Sequence, residues 1–180
     1  MRVTENRKLA LAVCIICALV SIFGIGGMKL NAKYGGVEEA FVKGADERHN
    51  MEYYFDRSVG YASDLAYEAM QYLEDDSAAE RVLELCDVLS AKEGPAEGRW
   101  TAYKALCGEV DRLYSQLQAE GCADETAVKI AYNDFQSTRD LIKRDEYHAV
   151  AGGYNETVEA FPANVISAVW GISGVEEFGR

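Results

Sequence analysis

Proline is almost missing. Pro95 and Pro162 are the only two in 180 residues. Proline removes a helix hydrogen bond and clashes with the preceding turn, so its scarcity leaves room for long uninterrupted helices. Histidine is equally rare. His49 and His148 stand far apart, with no His-x-x-x-His or Glu-x-x-His partner, which leaves no zinc-type ligand spacing. Cysteine does not form a scaffold either. Cys14 and Cys17 lie in one apolar run, and Cys86, Cys107 and Cys122 are an odd remainder at no metal spacing. Cys86 and Cys107 fall on apolar helical faces and read as small core residues. Positive charge is in deficit, with 18 basic against 30 acidic residues and a net charge of −12. Setting aside Arg2, Arg7, Lys8, Lys29, Lys33 and Glu5, 13 basic and 29 acidic residues remain from Tyr34 onward, a balance of −16. Such a surface repels phosphate backbones and excludes general nucleic-acid binding.

Catalytic motifs are absent too. There is no Gly-Lys-Ser/Thr phosphate loop and no Gly-x-Ser-x-Gly elbow. Asp46–His49 ("DERH") reads as a solvated charge run, and Glu74-Asp75-Asp76 lacks the order of a calcium loop. A cysteine nucleophile would need a base, and His148 is the one plausible candidate. The expectation is a non-enzyme with no catalytic residue, no metal and no cofactor.

What is present begins with Leu9–Met28, "LALAVCIICALVSIFGIGGM", 20 residues without a charge. A bilayer core needs about 20 apolar residues in a helix. A cleaved signal has a shorter core of about 7–15 residues and a small-x-small site, which is missing here. A lipoprotein cysteine at Leu11–Cys14 would have too short an apolar lead. The expected organisation is a short tail (1–8), a transmembrane anchor (9–28) and a helical domain (34–180). Arg2, Arg7 and Lys8 before the run, against Lys29 and Lys33 after it, favour a single-pass protein of the cell membrane. Its N-terminus would be cytoplasmic and its acidic domain extracytoplasmic.

The remainder is periodic. Ala62, Leu65, Ala66, Ala69 and Leu73 form the stripe of a first helix from Val37 to about Leu73, with Gly35-Gly36 as the flexible point before it. Ser77 with Glu80 forms a capping box. Val82, Leu85, Cys86 and Leu89 follow, up to Gly94-Pro95. Trp100, Tyr103, Cys107, Val110, Tyr114 and Leu117 mark a third helix stopped at Gly121. Asp124 caps a long fourth helix through Ala131, Phe135, Ile142, Tyr147, Tyr154, Val158 and Phe161. Short turns between amphipathic segments predict an all-α fold: a transmembrane helix, then an antiparallel four-helix bundle with two long helices. Leu65, Leu85, Cys107, Val110, Phe135 and Tyr154 are its expected core.

The stretch "RDEYHAVAGGYNETVEAFPANVISAVWGI" resembles the C-terminal signature of the LemA family. Arg144, Tyr147, Tyr154, Asn155, Val158, Phe161, Pro162, Val165, Ile166 and Gly171 occupy the signature positions. His148 stands where an asparagine is expected, and Gly152-Gly153 replaces polar residues. The proline of the family's first-helix motif is missing from "DRSVGYASDLAYEAM". The specific agreement covers about 30 residues, so the resemblance is to a divergent member. It implies a membrane-anchored helical bundle and no agreed enzymatic activity. On the residues alone, Tyr147, Tyr154 and Phe161 at seven-residue spacing read as a packing ladder, and Arg144 sits one turn before Tyr147. Asn155–Thr157 is a glycosylation sequon by pattern, on a helix.

Two functions follow. The first is a non-enzymatic interaction scaffold or adaptor that binds envelope proteins. The second is an oligomerising, membrane-acting bundle, with Gly24–Gly27 ("GIGG") supporting close helix packing. Pro162 should end the last helix. Val165, Ile166, Val169, Trp170 and Ile172 then form a short apolar segment across the membrane-proximal end of the bundle, read either with Trp170 as a membrane-interface contact or as a hydrophobic cap wholly inside the protein.

Overall fold

The computed structural model describes residues 2–44, 50–92 and 96–175. These are all-helical, with seven helices and no strand among them: α1 (Arg2–Lys43), α2 (Met51–Ala69), α3 (Ser77–Ser90), α4 (Ala96–Ala119), α5 (Thr126–Ile142), α6 (Tyr147–Glu159) and α7 (Ala163–Trp170). The described residues fall into two compact units. One draws on Met1–Glu38 and Ala149–Glu177, the other on Glu39–His148.

In the second unit α2 is the central element, packing on α5, α3 and α4, while α3 also packs on α4. Its buried column of Met51, Phe55, Ser58, Ala62, Leu65, Ala66 and Ala69 steps by three or four, as one helix face requires. Small residues at 62, 66 and 69 let neighbouring helices approach closely. Tyr103, Leu106, Cys107, Val110, Leu113 and Leu117 answer from α4, and Val128, Ala131, Phe135 and Ile142 from α5. An aromatic layer closes one end of this core. Phe55 stacks on Tyr103 at 4.6 Å and meets Phe41 edge-on at 5.4 Å, and Phe41 meets Tyr147 at 5.5 Å. Arg99 lies 4.7 Å over the Phe41 ring, a cation–π contact. Lys92 pairs with Asp56 at 2.9 Å and Glu52 at 3.5 Å, exposed pairs of small individual weight.

The expected core holds for Leu65, Cys107, Val110 and Phe135, all buried in the second unit, whereas Tyr154 is buried in the first unit and not in that core. Leu85 is a correction. It is half-buried, because Val82, Cys86 and Leu89 take the inward face of α3. Leu106 and Leu113 fill the α4 core where the expected stripe had Trp100 and Tyr114.

The helix boundaries also differ. Gly35-Gly36 is not a flexible joint but lies inside α1. Glycine costs a helix about 1 kcal/mol, and burial of Leu30 and Val37 on the same helix offsets that penalty. The expected helix over 37–73 is instead divided. Gly44, at φ +68°, follows α1, and the Asn50 side chain caps α2 by accepting from Tyr53 N at 2.6 Å. At α3 the capping box does not form. The N-cap is Asp76, and the Asp75 carboxylate takes the Ser77 amide at 2.9 Å. At α5 the N-cap is Glu125 rather than Asp124.

The expected long fourth helix is two helices. α5 stops at Ile142, and the Asp145 carboxylate accepts from Tyr147 N at 2.9 Å to begin α6. A local side-chain acceptor competes with the helix ladder there and wins. Gly121, at φ +75°, ends α4 as expected, with Cys122 N bonded to Leu117 O at 2.8 Å. Gly94-Pro95 and Asp46–His49 lie outside the described residues.

Candidate functional site: a tyrosine-lined groove and a backbone clamp

Tyr53, Arg57 and Tyr61 stand four residues apart on α2, so they line up along one helix face. Arg57 lies between the two phenols. Its Nη1 donates to Tyr53 Oη at 3.1 Å, and its Nη2 donates to Tyr61 Oη. These bonds, first to Tyr53 and then to Tyr61, push the Arg57 guanidinium above its ordinary value and keep it charged. The row walls a cleft of about 290 Å³ whose far side is Asp134, Ser137, Thr138 and Leu141 of α5. A second cleft of about 370 Å³ continues it past Tyr61 and Asp134 to Tyr67, Glu68 and Ile130. The two share Tyr61 and Asp134 and form one groove between α2 and α5. Tyr67, Ile130 and Leu141 are exposed apolar side chains along it.

Across α4 and α5 a second cluster converges on Asp111. Arg139 Nη1 donates to it at 2.8 Å, Gln136 Nε2 at 3.0 Å and Tyr132 Oη at 3.4 Å. Tyr114 stacks flat on Tyr132. A cleft of about 280 Å³ lies beside the cluster, lined by Trp100, Tyr103, Lys104, Cys107, Arg139 and Lys143 among others. Burial pushes both the Cys107 and Cys86 thiols above their ordinary value, so each is a protonated core thiol at neutral pH rather than a thiolate nucleophile.

The signature residues act on backbone. In the unit that contains α7, Asn155 Nδ2 donates to Val175 O at 2.7 Å, while its Oδ1 accepts from Val175 N at 2.8 Å. Tyr154 Oη donates to Ser173 O at 3.2 Å, and the Tyr154 ring meets Tyr34 edge-on at 6.0 Å. The Tyr-Asn pair is therefore a clamp on the segment that follows α7. Gly174 makes the clamp possible, since a Cβ there would come 2.9 Å from Asn155 Oδ1. Val158 is buried. His148, in place of the expected asparagine, has Nε2 2.7 Å from Ile142 O at the end of α5.

Two signature positions behave differently from the sequence reading. Arg144 is exposed in the turn after α5 and makes no ring or acid contact among the described residues. Phe161 leaves the ladder and is exposed, because α6 has already ended at Glu159. Tyr147, Ala151, Tyr154 and Val158 supply the inward face instead. Pro162 does stop the helix, and it forms the N-cap of α7.

α7 packs on α1. Ile166 sits over Gly26, where a Cβ would come 2.7 Å from its Cδ1, and the Trp170 indole covers Gly27. Trp170 Nε1 donates to Phe23 O at 2.9 Å. Gly26 and Gly27 thus serve close helix packing, with α7 as the partner helix. Sequence reasoning missed the Tyr53–Arg57–Tyr61 row. Its signal was there: aromatic and arginine residues at four-residue spacing, on the face flanking Ala62, Leu65, Ala66 and Ala69.

α1 contains a stretch long and apolar enough, by length and composition, to cross a membrane, and its apolar residues from Leu9 to Met28 are largely exposed. Comparison with family models, curated proteins and solved structures found no match to this chain.

Proposed function

We propose that this chain is a single-pass, membrane-anchored helical protein of LemA type, acting as a non-enzymatic interaction scaffold or adaptor at the cell envelope. The observation that carries the reading is the α2–α5 groove. Tyrosine and arginine are the residue types that dominate protein-binding hot spots, and here they line a cleft between helices rather than a core. Tyr53 and Tyr61 hold Arg57 in place, which lowers the entropy lost when a partner docks. Asp64, Glu68 and Asp134 add acidic rims, so the partner segment is expected to be apolar with basic flanks.

In this reading α2, α3, α4 and α5 make an antiparallel four-helix bundle, as the short connections at 70–76, 91–95 and 120–125 favour. The N-terminal positive charge supports a cytoplasmic N-terminus with the acidic helices outside.

The test is in-cell photocrosslinking from a reactive residue at Ile130 in the groove, against a control at Glu84 on α3. The expected result is a heterologous adduct from Ile130 alone, abolished by Arg57→Ala with Tyr61→Ala. A ladder of self-adducts would replace the adaptor by the oligomerising, membrane-acting bundle. Equal labelling from both positions would remove the groove from the reading.

A further inference from the structure

Leu9–Met28 is not the only uncharged stretch. From Ala160 to Val175, 16 residues pass without one charged side chain. This stretch contains α7, and only part of its apolar surface is used inside the protein. Ile166 is buried over Gly26, yet Phe161 is 84 % exposed, Val169 66 %, and Val165 and Trp170 46 % each. Val165 and Val169 are one turn apart on the same face, turned away from α1. On α1, Ile22 at the edge of the α7 contact is exposed, and so are Ile25 and Met28 farther around the helix. Both helices thus leave apolar side chains facing outward, and an internal hydrophobic cap would have no such outward face.

Position along α1 identifies the occupant. α7 meets α1 at Phe23–Gly27, inside the uncharged run and within about 8 Å of its end at Met28, at about 1.5 Å per residue. If Leu9–Met28 spans a bilayer, that contact lies in the leaflet on the side of the acidic helices. We propose that α7 with its flanking segments is a second membrane-inserted element, laid into that leaflet against α1, with acyl chains covering Phe161, Val165 and Val169. The proposal rests on the anchor reading of α1.

Part of the irregular backbone around α7 is satisfied in the way hydrocarbon requires. Irregular peptide groups are tolerated at membrane depth only when satisfied by protein. Beyond α7, Gly171 adopts φ +66° and Ile172 N bonds Ser167 O at 2.9 Å. Ser173 O and both backbone polar groups of Val175 are taken by Tyr154 and Asn155. Before α7, Asn164 N reaches Ala160 O at 3.0 Å. The Ser167 hydroxyl returns to Asn164 O and the Trp170 indole N–H to Phe23 O. The clamp of the Tyr-Asn pair thus does for this segment what water would do for an exposed loop. The glycines of α1 let α7 approach as closely as membrane helices do.

The full chain is placed in phosphatidylcholine vesicles with or without acyl-brominated lipid. One reporter is Trp170 in a Trp100→Phe background. The other is Val169→Trp with Trp100→Phe and Trp170→Phe, which puts the sole indole on the outward face. Both are expected to lose most of their emission in brominated vesicles. Adding Val165→Asp should restore the emission of the outward reporter while the chain stays in the carbonate-resistant fraction. An unquenched, red-shifted outward reporter in a carbonate-resistant chain would overturn the insertion of α7 and leave the anchor standing. A chain that carbonate releases would overturn the anchor, and the insertion with it.

Discussion

At the scale of single residues, Asn155 carries more than its exposure suggests. Its amide supplies a donor and an acceptor to one backbone residue, an arrangement that needs the two ends of an asparagine. Asn155→Ala should cost about 1–3 kcal/mol, seen as a lower melting temperature and as earlier proteolysis within 171–175. Asn155→Asp can still accept from Val175 N but sets a carboxylate oxygen against Val175 O, so it should fall at least as far as Ala does at neutral pH and recover part of the loss on acidification, when the protonated carboxyl can donate. Buried protons set a second expectation. Burial holds Cys86, Cys107 and Tyr103 protonated above their ordinary values of 9.0, 9.0 and 10.0. Their folded-state values are raised, so the stabilisation is fully present below pH 9 and is lost as pH climbs past it. Melting temperature should be level from neutrality to about pH 8.5 and fall steadily toward pH 11, with Tyr103→Phe flattening part of the fall.

At the scale of elements, periodicity was legible and punctuation was not. The apolar spacing of α2, α4 and α5 follows directly from one buried face per helix. The breaks were harder to read, because they turn on side-chain choices between nearly equal acceptors. Asp75 took the amide expected for the Ser77 cap, and Asp145 opened a new helix where Ile142 and Tyr147 shared one apolar stripe. Gly35-Gly36 erred the other way, a weak helical pair held in α1 by buried neighbours. The stops that need a positive φ were legible at Gly121 and could be tested at Gly171. Gly171→Ala forces a Cβ into the left-handed region and should cost about 1–2 kcal/mol. Differential scanning calorimetry would read the loss, and Gly171→Asn should recover most of it.

For the whole molecule, composition carried the one candidate membrane span and little of the site. The uncharged Leu9–Met28 run and the acidic remainder are visible without any structure. The groove is not, because α2 and α5 are separated by more than 50 residues of chain and meet only through packing. The corrected core gives a paired expectation. Val110→Asp buries a carboxylate with no exit to water and should unfold the core around α2, at several kcal/mol against a total of about 5–15. Leu85→Asp stands at a half-buried edge where the carboxylate reaches solvent, so circular dichroism should show a folded, mildly destabilised protein. Loss of fold in both, or in neither, would count against the assignment of the α3 face.

The clamp also bears on how the chain is handled before it folds. Asn155, Glu156 and Thr157 spell an acceptor for oligosaccharide transfer. In the folded chain the amide nitrogen faces Val175 O, and the Thr157 hydroxyl is bonded to Gly153 O at 2.8 Å. The acceptor is therefore open only until residues 173–175 dock. In a glycosylating host, sugar on Asn155 would record how slowly that docking happens. Gly174→Leu, which crowds Asn155 Oδ1 and delays the clamp, would raise its occupancy.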